Sequence, residues 1–264
     1  MNGLSRFIIT AALIIFSQVL FAADTITFPT RPGVTQSFFL EIPDNPLATV
    51  VLFAGGSGYL GMKERGKFTS KKHDFLVRSR QRFLDAGFAV AMFDSPSDHS
   101  GSRGMWGGFR TSFEHAQDII RVANYLRLRV NAPVWLIGTS RGTVSVANAA
   151  IHATDQLDGI VLTSCISKQS KSGEALPELA LDKIRVPVML AAHTDDKCSV
   201  TPAEGTCTVR EQLTGAPDVF TEYFSGGKDA KLNECAGLSA HGFYGIEEQV
   251  VDSISGFIRR HSQD

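Results

Sequence analysis

A serine lies between two glycines in the segment from Gly138 to Gly142, which runs Gly-Thr-Ser-Arg-Gly. A buried-type apolar run precedes this segment and a stretch rich in small residues follows it, so the segment is predicted to join a strand to a helix. Such a turn exposes the serine hydroxyl, glycines avoid collisions with neighbouring backbone, and the helix start stabilises negative charge. Ser140 is therefore the predicted nucleophile, with an ordinary glycine-rich turn as the alternative.

A serine hydroxyl is a weak nucleophile and needs a general base. Of the seven histidines, His241 lies in Ser-Ala-His-Gly-Phe, after the last predicted strand and immediately before the last amphipathic stretch. A histidine in that position completes the chain order nucleophile, acid, base. His241 is therefore the predicted base.

The third member of such a site is an acid that holds the imidazole in the required tautomer and stabilises the imidazolium. Asp195 and Asp196 both follow the apolar run Val186–Ala191, where this acid is expected. The residues alone leave both candidates open.

A second glycine-rich segment, Ala-Gly-Gly-Ser-Gly at 54–58, follows another apolar run. Acyl transfer requires backbone N–H groups that point at the developing oxyanion, and glycines let the backbone approach the substrate. We predict the amides of Gly56 and Arg141 as the two donors. No Gly-Lys-Ser/Thr sequence follows, which disfavours a phosphate-binding loop.

Two irregular stretches, 58–72 and 95–111, are long enough to form the wall of a pocket near these residues. The predicted substrate-binding residues are His99 and Arg110 in the second stretch and Ser57 in the glycine-rich segment before the first.

These residues need a scaffold, and the hydrophobic pattern predicts one. Apolar, β-branched runs predict strands buried on both faces: Thr49–Ala54, Ala89–Phe93, Val134–Ile137, Gly159–Leu162, Val186–Ala191 and, more weakly, Val219–Phe224. Alternating runs predict an edge hairpin of Thr25–Phe28 with Gln36–Ile42. Helical periodicity is found in Asp74–Ala86, Ser112–Leu128, Arg141–Ala153 and Ile246–Ile258. The alternation predicts an α/β fold with about eight mostly parallel strands, helices on both faces and functional loops at the strands' carboxyl ends.

Length and charge further limit the class of protein. The chain has 264 residues, 43% of them hydrophobic, which suits one large core, so residues 24–264 are predicted to form a single domain. The 26 basic and 27 acidic residues give a net charge of −1, which provides no electrostatic basis for binding nucleic acid. No Cys-x-x-Cys pair is present and no histidine lies at ligand spacing from two cysteines, so a metal site is not predicted. The chemistry of a serine nucleophile with a histidine base requires no cofactor, and none is predicted.

The first 23 residues have the pattern of a cleavable signal peptide. Arg6 precedes the apolar run from Phe7 to Phe21, and Ala22 and Ala23 provide small residues at a cleavage site. The predicted location is therefore periplasmic or secreted, without a membrane anchor after cleavage. A retained anchor is the alternative, since about 20 apolar residues can span a bilayer.

Taken together, the motifs resemble the α/β-hydrolase superfamily over essentially the whole mature chain. The resemblance is carried by Val50–Gly58, Gly138–Gly142, Val188–Pro202 and Cys235–Gly245. The histidine that usually precedes the oxyanion loop is replaced by Ala54 in this sequence.

Within the superfamily, the chain is similar to small exported bacterial hydrolases in which an Asp-x-Cys segment accompanies a cysteine shortly before His-Gly-Phe. This pattern places the acid on Asp196 and favours a disulfide between Cys198 and Cys235, because the acid and base loops must be neighbours. Four cysteines allow three pairings. Cys165 would then pair with Cys207, whereas a Cys198–Cys207 bridge would only staple the acid loop.

The resemblance implies an α/β-hydrolase fold with a minimal lid. It also implies hydrolysis of a carboxylic ester or amide through an acyl-enzyme, with Ser140, His241 and Asp196 as a triad. The expected substrate is a small ester or a short peptide. A peptidase of the same fold and a non-catalytic binding protein are the alternatives.

Overall fold

The computed structural model describes residues 23–63, 67–153, 155–169, 171 and 173–262. Apart from its last residue, the predicted signal peptide lies outside these ranges. The strands in chain order are β1 (Asp24–Arg31), β2 (Val34–Glu41), β3 (Thr49–Phe53), β4 (Met62–Lys63), β5 (Lys67–Phe68), β6 (Ala89–Phe93), β7 (Val134–Thr139), β8 (Gly159–Thr163), β9 (Val188–His193) and β10 (Val219–Phe224). The α-helices are α1 (Phe75–Asp85), α2 (Phe113–Val130), α3 (Gly142–His152), α4 (Gly205–Gln212) and α5 (Glu247–His261).

Eight of these strands form one central sheet in the order β1-β2-β6-β3-β7-β8-β9-β10. The β1–β2 hairpin forms one edge and pairs antiparallel with β6, and every later pair is parallel. This mostly parallel sheet confirms the predicted fold class and the predicted edge hairpin. The carboxyl ends of β3, β7, β8 and β9 therefore meet at one edge of the sheet, where the candidate residues were expected.

The sheet separates two hydrophobic layers, and successive strand residues alternate between them. Val51 and Phe53 of β3 pack with residues of α2, α3 and α4, whereas Val50 and Leu52 pack with residues of α1 and α5. All five residues of β3 are buried, as a strand covered on both faces requires. The predicted placement of helices on both faces is correct.

The observed elements differ from the predicted ones at a few boundaries. Strand β9 begins at Val188 instead of Val186, directly after Pro187, which has no N–H to donate to a strand ladder. Helix α2 continues to Val130 and ends where Asn131 adopts a left-handed conformation with a φ of 57°.

Two elements were not predicted. Helix α4 has a largely polar sequence and buries only Thr206 and Val209 among its eight residues, so its apolar periodicity is weak. The short hairpin of β4 and β5 lies within the predicted 58–72 loop and is too short to show an alternating pattern. Among the described residues, no helix combines the length and apolar character that a membrane span requires.

Candidate active site

Ser140 lies at the sharp turn between β7 and α3. Its φ of 53° is in the left-handed region, which residues other than glycine rarely occupy and which costs about 1–3 kcal/mol. Two backbone hydrogen bonds hold the turn: Ser140 N–H donates to the Thr163 carbonyl at 3.0 Å, and Thr143 N–H donates to the Ser140 carbonyl at 2.9 Å. The strained geometry is the one expected of a nucleophile held at the tip of such a turn.

The glycines on either side of Ser140 are required by sterics. A Cβ on Gly138 would lie 2.5 Å from the Gly142 carbonyl oxygen, and a Cβ on Gly142 would lie 2.1 Å from the Phe53 carbonyl oxygen. Both neighbours are backbone atoms and cannot rotate away. The turn therefore tolerates no side chain at either position.

Replacing Gly142 with alanine should therefore destabilise the protein by at least about 1–3 kcal/mol, since the added methyl group forces backbone to move. Gly256→Ala is the matched control. Gly256 lies inside α5 with its nearest neighbour 3.8 Å from the added Cβ, and alanine is the better helix former there. Urea denaturation should show a loss for Gly142→Ala and none for Gly256→Ala. Equal stability of both variants would contradict the steric account of the turn.

A histidine and an aspartate form a buried pair at the same edge of the sheet. His241 Nδ1 lies 2.9 Å from Asp196 Oδ2, and the two side chains are 5% and 2% exposed. Asp195 points away from this pair, with a side chain that is 67% exposed. Of the two aspartates that the residues alone left open, Asp196 is therefore the one that pairs with His241. When the imidazole proton is on Nδ1, Nε2 has a free lone pair.

Three further groups orient this pair: the side chains of Thr201 and Ser164, which the sequence did not single out, and the backbone N–H of Cys198. Thr201 Oγ1 donates to Asp196 Oδ2 at 2.9 Å and lies 3.0 Å from His241 Nδ1. The backbone N–H of Cys198 donates to Asp196 Oδ1 at 2.9 Å, and Ser164 Oγ donates to the His241 carbonyl at 2.8 Å. Hydrogen bonds to both carboxylate oxygens hold Asp196 in place beside His241.

The acid loop is tied to the segment before His241 by a disulfide between Cys198 and Cys235, whose Cα atoms are 4.6 Å apart. The expected Cys165–Cys207 pairing is wrong, because both side chains are free thiols in different surroundings. Cys165 is enclosed in the core below the end of β8, where burial raises its pKa to about 12. Cys207 is on the surface of α4, with its Sγ 3.3 Å from the Tyr223 hydroxyl.

The glycine-rich loop after β3 lies directly beside the nucleophile turn. A Cβ on Gly55 would contact the Ser140 Cβ at 3.1 Å, and the Gly55 N–H donates to Asp74 Oδ2 at 2.9 Å. Gly56, the predicted oxyanion donor, has a φ of 58°. Burial raises the pKa of Asp74, and the hydrogen bond from Gly55 opposes that rise.

Two buried arginines hold this loop from behind. The guanidinium of Arg110 donates to the carbonyls of Ala54 and Gly56 at 3.1 and 3.2 Å, and that of Arg141 donates to the Gly56 carbonyl at 3.1 Å. Arg141 is also paired with Glu174 at 2.6 Å. The two guanidinium groups thus hold the Gly56 carbonyl in place, next to the Gly56 N–H.

The structure places the three predicted substrate-binding residues away from the cavity beside Ser140. Arg110 is fully buried and donates to backbone carbonyls and to Ser145 Oγ, so it supports the glycine-rich loop from behind. Ser57 is buried under the same loop, where its carbonyl accepts from Met105 N–H. His99 stacks on Phe109 on a short 3-10 turn, with 3.7 Å between ring centroids.

Ser140 and His241 line one cavity of about 340 Å³. Its other walls include the glycine-rich loop with Gly55 and Gly56, the segment 71–75, and the disulfide-held segment around Cys235. Within the described parts of the chain, no cluster of three or more His, Cys, Asp or Glu side chains is placed to hold a metal ion. The cavity therefore combines a hydroxyl on a strained turn, an imidazole paired with a buried carboxylate, and backbone amides.

Comparison with known proteins identifies the architecture. No protein-family model matches the sequence, and no curated protein matches it either. Solved structures do match, and the chain has the α/β-hydrolase fold. The Pyrococcus furiosus esterase Pf2001 superimposes with a TM-score of 0.65 at 15% identity, over 92% of this chain and 93% of that one.

Two further esterases have similar structures. Est1E from Butyrivibrio proteoclasticus superimposes with a TM-score of 0.61 at 16% identity, over 91% of this chain and all of that one (100%). A cold-adapted esterase from an Arctic intertidal metagenomic library gives a TM-score of 0.61 at 14% identity, over 90% of this chain and 92% of that one. Likeness at this level of identity establishes the fold, and the chemistry has to be argued from the site.

Proposed function

We propose that this protein is a serine hydrolase that cleaves carboxylic esters through an acyl-enzyme, with Ser140 as nucleophile, His241 as base and Asp196 as the orienting acid. One observation carries the proposal: the hydrogen bond between His241 and Asp196 lies at the cavity that also contains Ser140 on its left-handed turn. The three groups come from three loops at the carboxyl ends of parallel strands, where this fold places reactive groups.

In the first step, Ser140 Oγ attacks the ester carbonyl carbon while its proton passes to His241 Nε2. The new Oγ–C bond forms as the carbonyl electron pair moves onto oxygen. Asp196 stabilises the resulting imidazolium through Nδ1 and remains ionised. Collapse of the tetrahedral intermediate breaks the bond to the alcohol oxygen, which takes the proton from Nε2. Water then repeats the sequence and releases the acid.

The backbone amides of Gly56 and Arg141 are the proposed donors to the oxyanion. Gly56 is held by the two guanidinium groups that grip its carbonyl, and the Arg141 amide is fixed at the start of α3. Donors held in place before the reaction need no reorganisation when negative charge develops on the substrate oxygen.

Esters are favoured over peptides for two reasons. The similar solved structures named above are described as esterases. An alcohol also leaves more readily than an amine, so less assistance to the leaving group is needed. A peptidase of the same fold remains the second candidate for this site.

Export accompanies the proposed activity. We propose that residues 24–264 form the single mature domain and act in the periplasm or outside the cell, since the apolar leader is followed by a chain with a disulfide. Intact-mass analysis of protein recovered from the periplasm or medium should give a chain that begins near Asp24.

A substrate panel tests the function. We expect purified protein to be labelled by a fluorophosphonate and to hydrolyse p-nitrophenyl esters faster than aminoacyl anilides, because both reactions use an activated serine but only the ester has the easy leaving group. Faster cleavage of the anilides would assign a peptidase. Absence of labelling and of turnover would assign a binding protein.

A further inference from the structure

One wall of the cavity carries a lysine that the proposed mechanism does not use. Lys71 lies in the segment just before α1, with a φ of 59°, in the left-handed region. Its Nζ lies only 2.5 Å from the position that a Cβ on Gly56 would take. The ammonium group is thus in contact with the glycine whose N–H is the proposed oxyanion donor.

This ammonium group is largely withdrawn from water. Among the described residues, nothing accepts a hydrogen bond from Lys71 Nζ or forms an ion pair with it. Burial lowers its pKa, the attraction of Asp74 opposes this, and the positive charges of Arg110 and Arg141 lower it further. A charge withdrawn from water is costly unless an opposite charge compensates it.

The nearest carboxylate does not supply that compensation through a contact. Asp74 caps α1, where Oδ1 accepts from the backbone N–H groups of Leu76 and Val77 at 3.0 and 3.4 Å. Its other oxygen accepts from the Gly55 N–H. The hydrogen bonds of Asp74 thus go to backbone donors, and this carboxylate, which also lines the cavity, attracts the Lys71 ammonium only through space.

The groups behind the oxyanion loop strengthen this positive field. Within the described residues, Arg110 makes no ion pair and donates only to uncharged acceptors, namely Ser145 Oγ and two backbone carbonyls. Burial lowers the pKa of Arg110 to about 9, with Arg141 as the next contributor, so the group is still mainly charged near neutral pH. Two partly or fully desolvated cations thus lie on either side of Gly56.

We propose that Lys71 binds an anionic group of the substrate, so that the enzyme selects esters that also carry a carboxylate. The inference rests on the proposed ester hydrolysis at Ser140 and names its substrate class. A carboxylate in the cavity would form a charge-assisted hydrogen bond with Nζ and neutralise the field that Lys71 and Arg110 create. An uncharged substrate of the same shape would leave the ammonium without a partner.

The test compares matched anionic and neutral esters in wild-type and Lys71→Met protein. Monoethyl terephthalate and ethyl 4-carbamoylbenzoate differ on the acyl side, and 4-carboxyphenyl butyrate and 4-carbamoylphenyl butyrate differ on the alcohol side. For at least one pair, Lys71→Met should lower the anionic-to-neutral ratio of kcat/KM about 10- to 100-fold, the loss expected when a hydrogen bond to a charged group is removed. Differences in intrinsic reactivity between the two esters cancel when the ratio of the variant is compared with that of wild type.

Two controls separate recognition of charge from damage to the site. Lys71→Arg keeps the positive charge and should retain most of the selectivity, whereas Lys183→Met removes an exposed lysine outside the cavity and should change nothing. In wild-type protein the selectivity should also fall as salt is added, because screening weakens the attraction. An equal loss for both esters of both pairs, or an unchanged ratio, would overturn the inference.

A binding measurement makes the inference independent of turnover. Benzoate and benzamide are titrated into Ser140→Ala protein, with and without Lys71→Met, and followed by NMR. Preference for benzoate that disappears with Lys71→Met supports the inference even where no ester is hydrolysed, a result that would reject the proposed function alone. Equal binding of the two probes to Ser140→Ala would reject the inference alone.

Discussion

Ser140→Ala is expected to lower kcat for ester hydrolysis about 10⁴- to 10⁶-fold and to abolish labelling by a fluorophosphonate. No covalent intermediate can form without the hydroxyl, so only water held in the remaining site can attack the ester. Residual catalysis comes from the oxyanion donors and from substrate binding. The kcat of the variant is measured on the best p-nitrophenyl ester of the wild-type protein.

The fold should survive this change. Alanine has the same backbone restriction as serine at a φ of 53°, and no hydrogen bond that holds the turn uses the serine side chain. Ser100→Ala is the matched control, since Ser100 lies on an exposed loop outside the cavity and should keep both activity and labelling. Thermal unfolding of the two variants should agree within about 2 °C of wild type. Full labelling of Ser140→Ala would place the nucleophile elsewhere.

The sequence predicted the turn at Ser140 and the strands of the central sheet, which depend on local chemistry. The turn around Ser140 needs glycines at fixed positions, since the distances from Gly138 and Gly142 to neighbouring backbone leave no room for a side chain. Buried strands such as β3 are continuously apolar, so their order along the chain and their parallel arrangement can be inferred before any contact is known. The α/β architecture followed from these two signals.

Contacts made by loops could not be predicted in the same way. Lys71 reaches Gly56 only because the chain turns back at residue 71, and Thr201 reaches His241 only because the acid loop folds over Asp196. Nothing in the spacing of these residues marks either approach. Arg110 shows the opposite error, because a charged residue on a predicted surface loop is enclosed behind the glycine-rich loop and bonds backbone carbonyls.

The number of cysteines alone did not predict how they pair. An even number suggested two bridges, but only Cys198 and Cys235 are brought together by a contact that the site itself requires. Cys165 and Cys207 had no such constraint. Both thiols are free: Cys165 lies in the core, and Cys207 lies on the surface of α4.

Asp196→Asn is expected to lower kcat/KM for ester hydrolysis by about 10³- to 10⁴-fold, whereas Asp195→Asn should stay within about threefold of wild type. Asp196 contacts His241 Nδ1 at 2.9 Å and is buried, while the side chain of Asp195 is 67% exposed and 4.0 Å from His193. The kcat/KM of both variants is compared with that of wild type on one p-nitrophenyl ester at a fixed pH.

The size of the expected effect follows from the position of one proton. Asp196 accepts from Nδ1, which leaves Nε2 with a lone pair for the serine proton. An asparagine amide in the same place can donate to Nδ1, which moves the imidazole proton to Nε2 and removes the base without removing the ring. Asp196→Asn also keeps the shape of the side chain, and with its amide group toward Nδ1 its oxygen can still accept from the Cys198 N–H. A large loss with unchanged thermal stability is therefore the signature of a tautomer effect, whereas a large loss for Asp195→Asn would make Asp195 the orienting acid.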